Sequence, residues 1–428
     1  MHIPPSLKHK KFFYLWLGQL ISITGTQMQL WALFWHVSNL DKNPIALGGI
    51  GLARIFPVII FSLIGGALAD SVDRRKVMFV TQSAAALLAL TLGLLTQFGQ
   101  VTIWYIYVIT AFQAIAVAFD GPSRQALIPN LVPKEDLPNA FSMTFTSFQF
   151  GSVLGPALSG FVIAWAGQEA VYYLNAISFA AVLFALFMIG DVPQSFAEKS
   201  AGISVSAIRE GIHFILEKPI ILSSMMLDFV ATFFASANTL MPIIATTVLK
   251  VGVVEYGYLS AASAVGAVTV ALVISQVKVI RRQGPMFMGA VIVFGIATVI
   301  FGLTRSFIVA WLAIATTGAA DGVSTIIRNT IRQLQTPDHI RGRMTSINQI
   351  FFQGGPQLGE MEAGSVAQFF GASFAVISGG IGCIIGTLLI IWKWPQLMHY
   401  DGHEPIEGEI ASSPSSGASI VSNRVRRP

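Results

Sequence analysis

Apolar residues in this chain fall into long blocks rather than alternating positions. Twelve blocks stand out, roughly 12–35, 45–69, 76–96, 103–123, 139–166, 170–190, 220–248, 256–277, 285–302, 307–327, 344–369 and 372–392. A helix needs ~20 mostly apolar residues to cross the ~30 Å of a bilayer's hydrocarbon. Lipid admits only helices or closed barrels, because an unpaired backbone group finds no water there. Barrel strands alternate in polarity and are short, so the blocks predict an all-α integral membrane protein with twelve transmembrane helices. The first block is longer than the 7–15 apolar residues of a signal peptide and contains Gln19. It is read as a retained helix.

Composition sharpens this. The chain is 54% hydrophobic and 11% charged, against about 25% charged in soluble proteins. Its 39 glycines suit close helix packing in lipid. The single cysteine, Cys383, excludes an intrachain disulfide. Of the 26 Lys and Arg residues, 22 fall on one side of the predicted spans. Only Lys42, Lys250 and Arg305 fall on the other, and Arg54 lies inside a span. This positive-inside bias explains the net charge without a nucleic-acid partner. It predicts both termini in the cytoplasm and a multi-pass protein of the cell (plasma) membrane.

The longest inter-span loop divides six spans from six. The expected organisation is an N-terminal six-helix bundle (1–190), a cytoplasmic central loop (191–219), a C-terminal six-helix bundle (220–394) and a cytoplasmic tail (395–428). Within the central loop, Ile203–Leu216 patterns as a short amphipathic helix at the interface. The tail from Asp401 to Pro428 is rich in Ser, Gly and charge and is expected to be disordered. The halves repeat weakly: Arg124 to Pro133 aligns with Arg328 to Pro337, and Arg74-Arg75 corresponds to Arg281-Arg282. Repeated bundles are a transporter arrangement that exposes a central site to each side in turn.

The loop after the second span reads Gly66-Ala-Leu-Ala-Asp70-Ser-Val-Asp73-Arg74-Arg75. It resembles the signature loop of the major facilitator superfamily, G-x-L-x-D-x-x-G-R-R/K, with Asp73 where the pattern prefers Gly. The resemblance implies that Arg74 pairs with a carboxylate, and Asp120 matches the usual partner. The fifth span carries Gly151-Ser-Val-Leu-Gly155-Pro156-Ala-Leu-Ser-Gly160, similar to the G-x-x-x-G-P-x-x-x-G motif of antiporters and exporters. Arg124 to Leu137, Trp16 to Ser22 and Leu227-Asp228-Phe229 resemble the enterobactin-exporter and macrolide-efflux branch. What this implies is a major facilitator fold of two pseudo-symmetric six-helix bundles exporting a small amphipathic molecule. The fourth span departs from many proton-coupled relatives: residues 103–119 contain no Arg.

A charge at mid-membrane costs ~2.5–3.5 kcal/mol on insertion scales, so those present ask for a role. Arg54, Asp228, Glu360 and Glu362 qualify. Arg54 and Glu360 lie at matching depths, ~24–26 Å of helix from the basic face, on spans that pack together in the implied architecture. Arg54 with Glu360 or Glu362 is therefore an outer gate or a static pair. Asp228 is the candidate for substrate or ion coupling. Gln19, its repeat counterpart, reads more readily as an interhelical hydrogen bond. Asp321 is grouped with Arg328 in the loop network on the basic face, and Trp31, Trp35 and His36 with the interfacial anchors.

The sequence has no phosphate-binding Gly-Lys-Thr loop and no metal-spaced His/Cys cluster. The reading is a transporter, not an enzyme, with no cofactor or metal. Its partners are a small-molecule substrate, a proton and membrane lipid, and it acts as a monomer. Alternatives are an ion-independent facilitator or importer, and a non-transporting receptor or scaffold on the same fold.

Overall fold

The structure, a computed structural model, describes residues 4–193, 213–235, 237–276, 282–336 and 341–401. The apolar blocks become helices: α1 Lys10–Leu40, α2 Pro44–Ser71, α3 Arg74–Gln97 and α4 Ile103–Leu127. A single helical run, Leu137–Ile189, supplies both α5 and α6, because Gly167 (φ 83°) turns it at residue 167. This left-handed backbone is open to glycine and strained for other residues. The C-terminal half comprises α7 Pro219–Phe234, α8 Val253–Ile274, α9 Gln283–Leu303, α10 Phe307–Gln335, α11 Arg341–Phe370 and α12 Ala372–Lys393. Asn43 and Asp73 cap α2 and α3, their side chains accepting from Ile45 N and Arg75 N.

Most of these helices pass the length and hydropathy of a membrane span. The two exceptions, α1 and α11, are among the longest but carry Gln19, Gln27, Gln29, Gln357, Glu360 and Glu362. Their polar groups therefore need partners inside the protein. Large apolar side chains such as Trp104, Trp165, Phe187 and Phe369 are exposed, as expected where lipid is the solvent.

Two corrections to the expected boundaries follow. The seventh span is not one helix. After Phe234 the chain passes through a 3-10 turn, Ala237–Leu240, and a π-helical turn, Ile244–Val248. The C-terminal bundle also does not stop at 394. A 3-10 turn, Pro395–His399, folds under α9, Tyr400 O accepts from Gly284 N (2.8 Å), and Leu397 and Tyr400 are fully buried. Both side chains join a core with Leu227, Phe287, Ile327 and Ile390. Residues 203–212 of the expected amphipathic helix, and the tail from 402, lie outside the described residues.

The contacts that join the halves cluster toward the face opposite the termini. Gly160 on α5 meets the backbone of Val253 and Gly257 on α8. Gly48 on α2 meets Glu360 and Met361 on α11, and Gly364 meets Pro44 and Gly48. Trp31 and Trp35 pack on Tyr256, whose hydroxyl donates to Trp31 O (3.0 Å).

Candidate functional site

The repeated halves place equivalent polar pairs in equivalent helices. In the N-terminal half, Arg124 of α4 donates through Nη1 to Gln19 Oε1 of α1. In the C-terminal half, Arg328 of α10 forms an ion pair with Asp228 of α7. Arg328 and Asp228 are both buried, with side chains 2% and 5% exposed, so the carboxylate expected as a free coupling group already has a cation. Arg124 is less enclosed and also lies 3.9 Å from Asp120.

Asp321 is the correction here. It sits midway along α10, two turns from Arg328, not in a loop network. With Asp228, Thr232 and Ser324 it lines a small crevice walled by Ala231, Val291, Phe294 and Ala320. Among the described residues, Asp321 has no ion-pair or hydrogen-bond partner.

The second charged centre lies between the halves. Arg54 Nη1 is 3.6 Å from Glu360 Oε1. Glu360 is buried, and its other oxygen lacks a hydrogen-bond partner and rests beside Gly51, where a Cβ would come within 2.7 Å. Glu362 is half-buried and makes no ion pair among the described residues. The depth argument thus selects the right helices, and the 100° turn per residue selects Glu360 over Glu362.

A family model described as "Transmembrane secretion effector" matches residues 4–406. The chain belongs to this family of major facilitator transporters. It is 25% identical over 413 residues to an uncharacterized MFS-type transporter, YfiS, of Bacillus subtilis, covering 92% of this chain and 95% of the relative. It is 23% identical over 392 residues to the enterobactin exporter EntS of Escherichia coli, covering 92% and 94%. Among solved structures, a bacterial homologue of the human lysosomal transporter Spinster, inward-facing and unoccupied, matches with a TM-score of 0.69 at 14% identity, covering 93% of this chain and 97% of that one. That likeness shows the twelve-helix fold of two six-helix bundles.

The family's signature loop is built within the N-terminal half. Arg74 Nη1 donates to Ala126 O (3.3 Å) and Asn130 Oδ1 (3.1 Å) at the end of α4. Arg75 ties the start of α3 to the end of α6, through Leu186 O (2.8 Å) and Asp191 (3.1 Å). Asp120 does not pair with Arg74. It accepts from Gln82 Nε2 (2.8 Å) and Thr81 Oγ1 (3.2 Å) and faces Arg124. Gly66 and the side chain of Asp70 lie outside what the structure describes.

The α5 motif divides in two. A Cβ on Gly151 or Gly155 would strike α1, at Ile23, Thr24, Gln27 and Met28. One on Gly160 would strike α8 in the other half, and Pro156 O also lies against Gly257. The α1 aromatics are not interfacial anchors. Trp31 and Trp35 join the halves, and His36 is buried on Tyr172, Nδ1 to Oη 2.8 Å. Sequence reasoning missed a buried amide chain that runs from α6 through α1 to α4: Asn175 Nδ2 donates to Gln29 Oε1 (2.6 Å), and Gln29 Nε2 to Gln113 Oε1 (2.8 Å). The signal was the i, i+3, i+10, i+17 spacing of Gln19, Ser22, Gln29 and His36, which keeps them on one face of α1.

Proposed function

We propose that this transporter is a secondary active exporter of a small amphipathic molecule, coupled to protons and working by alternating access. The observation that carries it is the one-sided seal. Close backbone contacts, the Trp31–Trp35–Tyr256 cluster and the Arg54–Glu360 pair gather at the face away from the termini. With the basic, terminus-bearing face in the cytoplasm of the cell membrane, the conformation is inward-open, ready to load from inside. Export is supported by the α5 motif and by the likeness to the enterobactin exporter.

In this reading Arg54 and Glu360 are the outer gate, which loosens when the outside opens. Asp70, Arg74 and Asp120 act in the opposite state, when the cytoplasmic ends of the halves approach. Among the described residues, the loop arginines bond to their own half. The α7–α10 charges of Asp228 and Arg328 hold the coupling site. The protein acts as a monomer in lipid, and each half has its own core.

The test is flux in sealed proteoliposomes with ethidium and enterobactin as probes. A pH gradient should drive at least one of them uphill, and collapsing the gradient should stop accumulation. Equal downhill flux with and without the gradient would support the ion-independent facilitator instead.

A further inference from the structure

We infer that Asp321, with Ser324 beside it, is the proton-carrying group of the C-terminal half, and that Asp228 is the fixed counter-charge of Arg328. This deepens the proton-coupled reading and rests on it.

The crevice between α7, α9 and α10 has a volume of about 10 Å³, room for a single water molecule. Its polar lining is Asp228, Thr232, Asp321 and Ser324. Asp228 is committed to Arg328, and Thr232 donates to Asp228 O (2.8 Å). Ser324 is 4% exposed, lines the crevice and makes no hydrogen bond among the described residues. A buried, unpartnered hydroxyl beside a carboxylate that lines the crevice but is also exposed beyond it marks a place where something polar arrives.

The charges facing Asp321 can be counted from every wall. α7 contributes Asp228, and α10 itself contributes Arg328, with Arg332 one turn further along acting on Arg328 and not on Asp321. The residues of α9 that line the crevice, Val291 and Phe294, are apolar. Where α8 touches this stretch of α10, at Ala267 and Val270 beside Gly322, it is apolar too. The group Asp228–Arg328–Asp321 therefore carries a net charge of minus one when Asp321 is ionised and none when it is protonated. A net charge in the membrane interior needs water or a partner. The ionised form accordingly keeps the crevice open to water. Protonation, one O–H bond formed on a carboxylate oxygen with the proton taken from solvent, lets α7, α9 and α10 close dry over a neutral group. Arg328 never loses its partner in this cycle.

The experiment uses the full chain with Cys383→Ala and a reporter, Ile243→Cys. Ile243 packs against the cores of both halves at the outer seal. Its maleimide-labelling rate, divided at each pH by that of a permanently exposed cysteine to remove thiolate ionisation, is measured against pH, together with gradient-driven uptake of ethidium and enterobactin. Wild-type charges should give a rate with one midpoint. Asp321→Asn should flatten the profile and abolish uphill uptake. Asp321→Glu should keep a midpoint. Ser324→Ala should move it to higher pH, because the ionised form loses a donor. A midpoint unchanged in Asp321→Asn, in protein that elutes as a single species, overturns the assignment, as does an unshifted midpoint in Ser324→Ala. A flat profile without uphill uptake in the wild-type charge set would instead remove the proton-coupled reading, and this assignment with it.

Discussion

Adding one methyl group at Gly160 should hold the transporter open to the outside. A Cβ there would lie 2.6 Å from Val253 O and 3.1 Å from Gly257 Cα. Both obstacles are backbone of the facing helix, so no side chain can swing away, and α5 and α8 must part. Overpacking of this kind costs about 1–3 kcal/mol. The cost falls only on the conformation in which the halves touch here, so it changes a population and not the stability of either half. Between two conformations, 1–3 kcal/mol is a shift of roughly 5- to 150-fold. The assay is maleimide labelling of Ile243→Cys in a Cys383→Ala background, from the outside of intact cells or oriented vesicles. Gly160→Ala should raise the labelled fraction and lower transport with little change in thermal stability. Gly151→Ala is the control, since its Cβ would meet Ile23 and Thr24 in the same half. It should lower the melting temperature and leave labelling unchanged. Equal labelling in Gly160→Ala and its parent, or equal gains in both glycine variants, would refute the division of the motif.

Other consequences are as direct. Arg54→Ala and Glu360→Ala should each raise outside labelling and reduce transport, and the double variant should be milder than their sum by ~0.5–3 kcal/mol; Glu362→Ala should add to Arg54→Ala without coupling. Asp228→Asn removes one charge of the buried Asp228–Arg328 pair and should destabilise the protein by about 3–5 kcal/mol, read by thermal unfolding, with Asp228→Asn/Arg328→Gln recovering part of the loss. A reporter fused after Trp394 should report cytoplasm and one inserted near Lys250 the outside; a C-terminal reporter found outside would sink the topology.

Most of the helices were legible because they are apolar blocks long enough to span lipid, and the Arg54–Glu360 meeting was legible because depth along a helix is a matter of counting. The partner of Asp228 was not. Hydropathy ends the fourth and tenth blocks near 123 and 327, one residue before Arg124 and Arg328. The helices run on to Leu127 and Gln335, since an arginine satisfied inside a bundle need not end a helix. The repeat that aligned Arg124 with Arg328, and Gln19 with Asp228, already contained both pairs; only the assignment of the arginines to loops hid them. The burial of Leu397 and Tyr400 was hidden by a different feature, the Lys393-Trp394-Pro395 sequence, which reads as a membrane exit. The break in α7 does have a signal: Pro242 sits in the first turn of the segment after it, where proline starts a helix and does not continue one, but the apolar block reads straight through it.

The Asp228–Arg328 pair also constrains how the protein is made. The ribosome delivers α7 three helices before α10, so Asp228 enters the bilayer before its cation exists. In that interval an ionised carboxylate costs ~2.5–3.5 kcal/mol at the helix centre, and a proton is the one countercharge that arrives without a partner helix. The nascent chain thus holds α7 as a neutral, provisionally inserted segment. Synthesis of Arg328 converts it to a charged and anchored one. The C-terminal half gains this buried pair only when its tenth helix is complete, whatever order its first helices entered in.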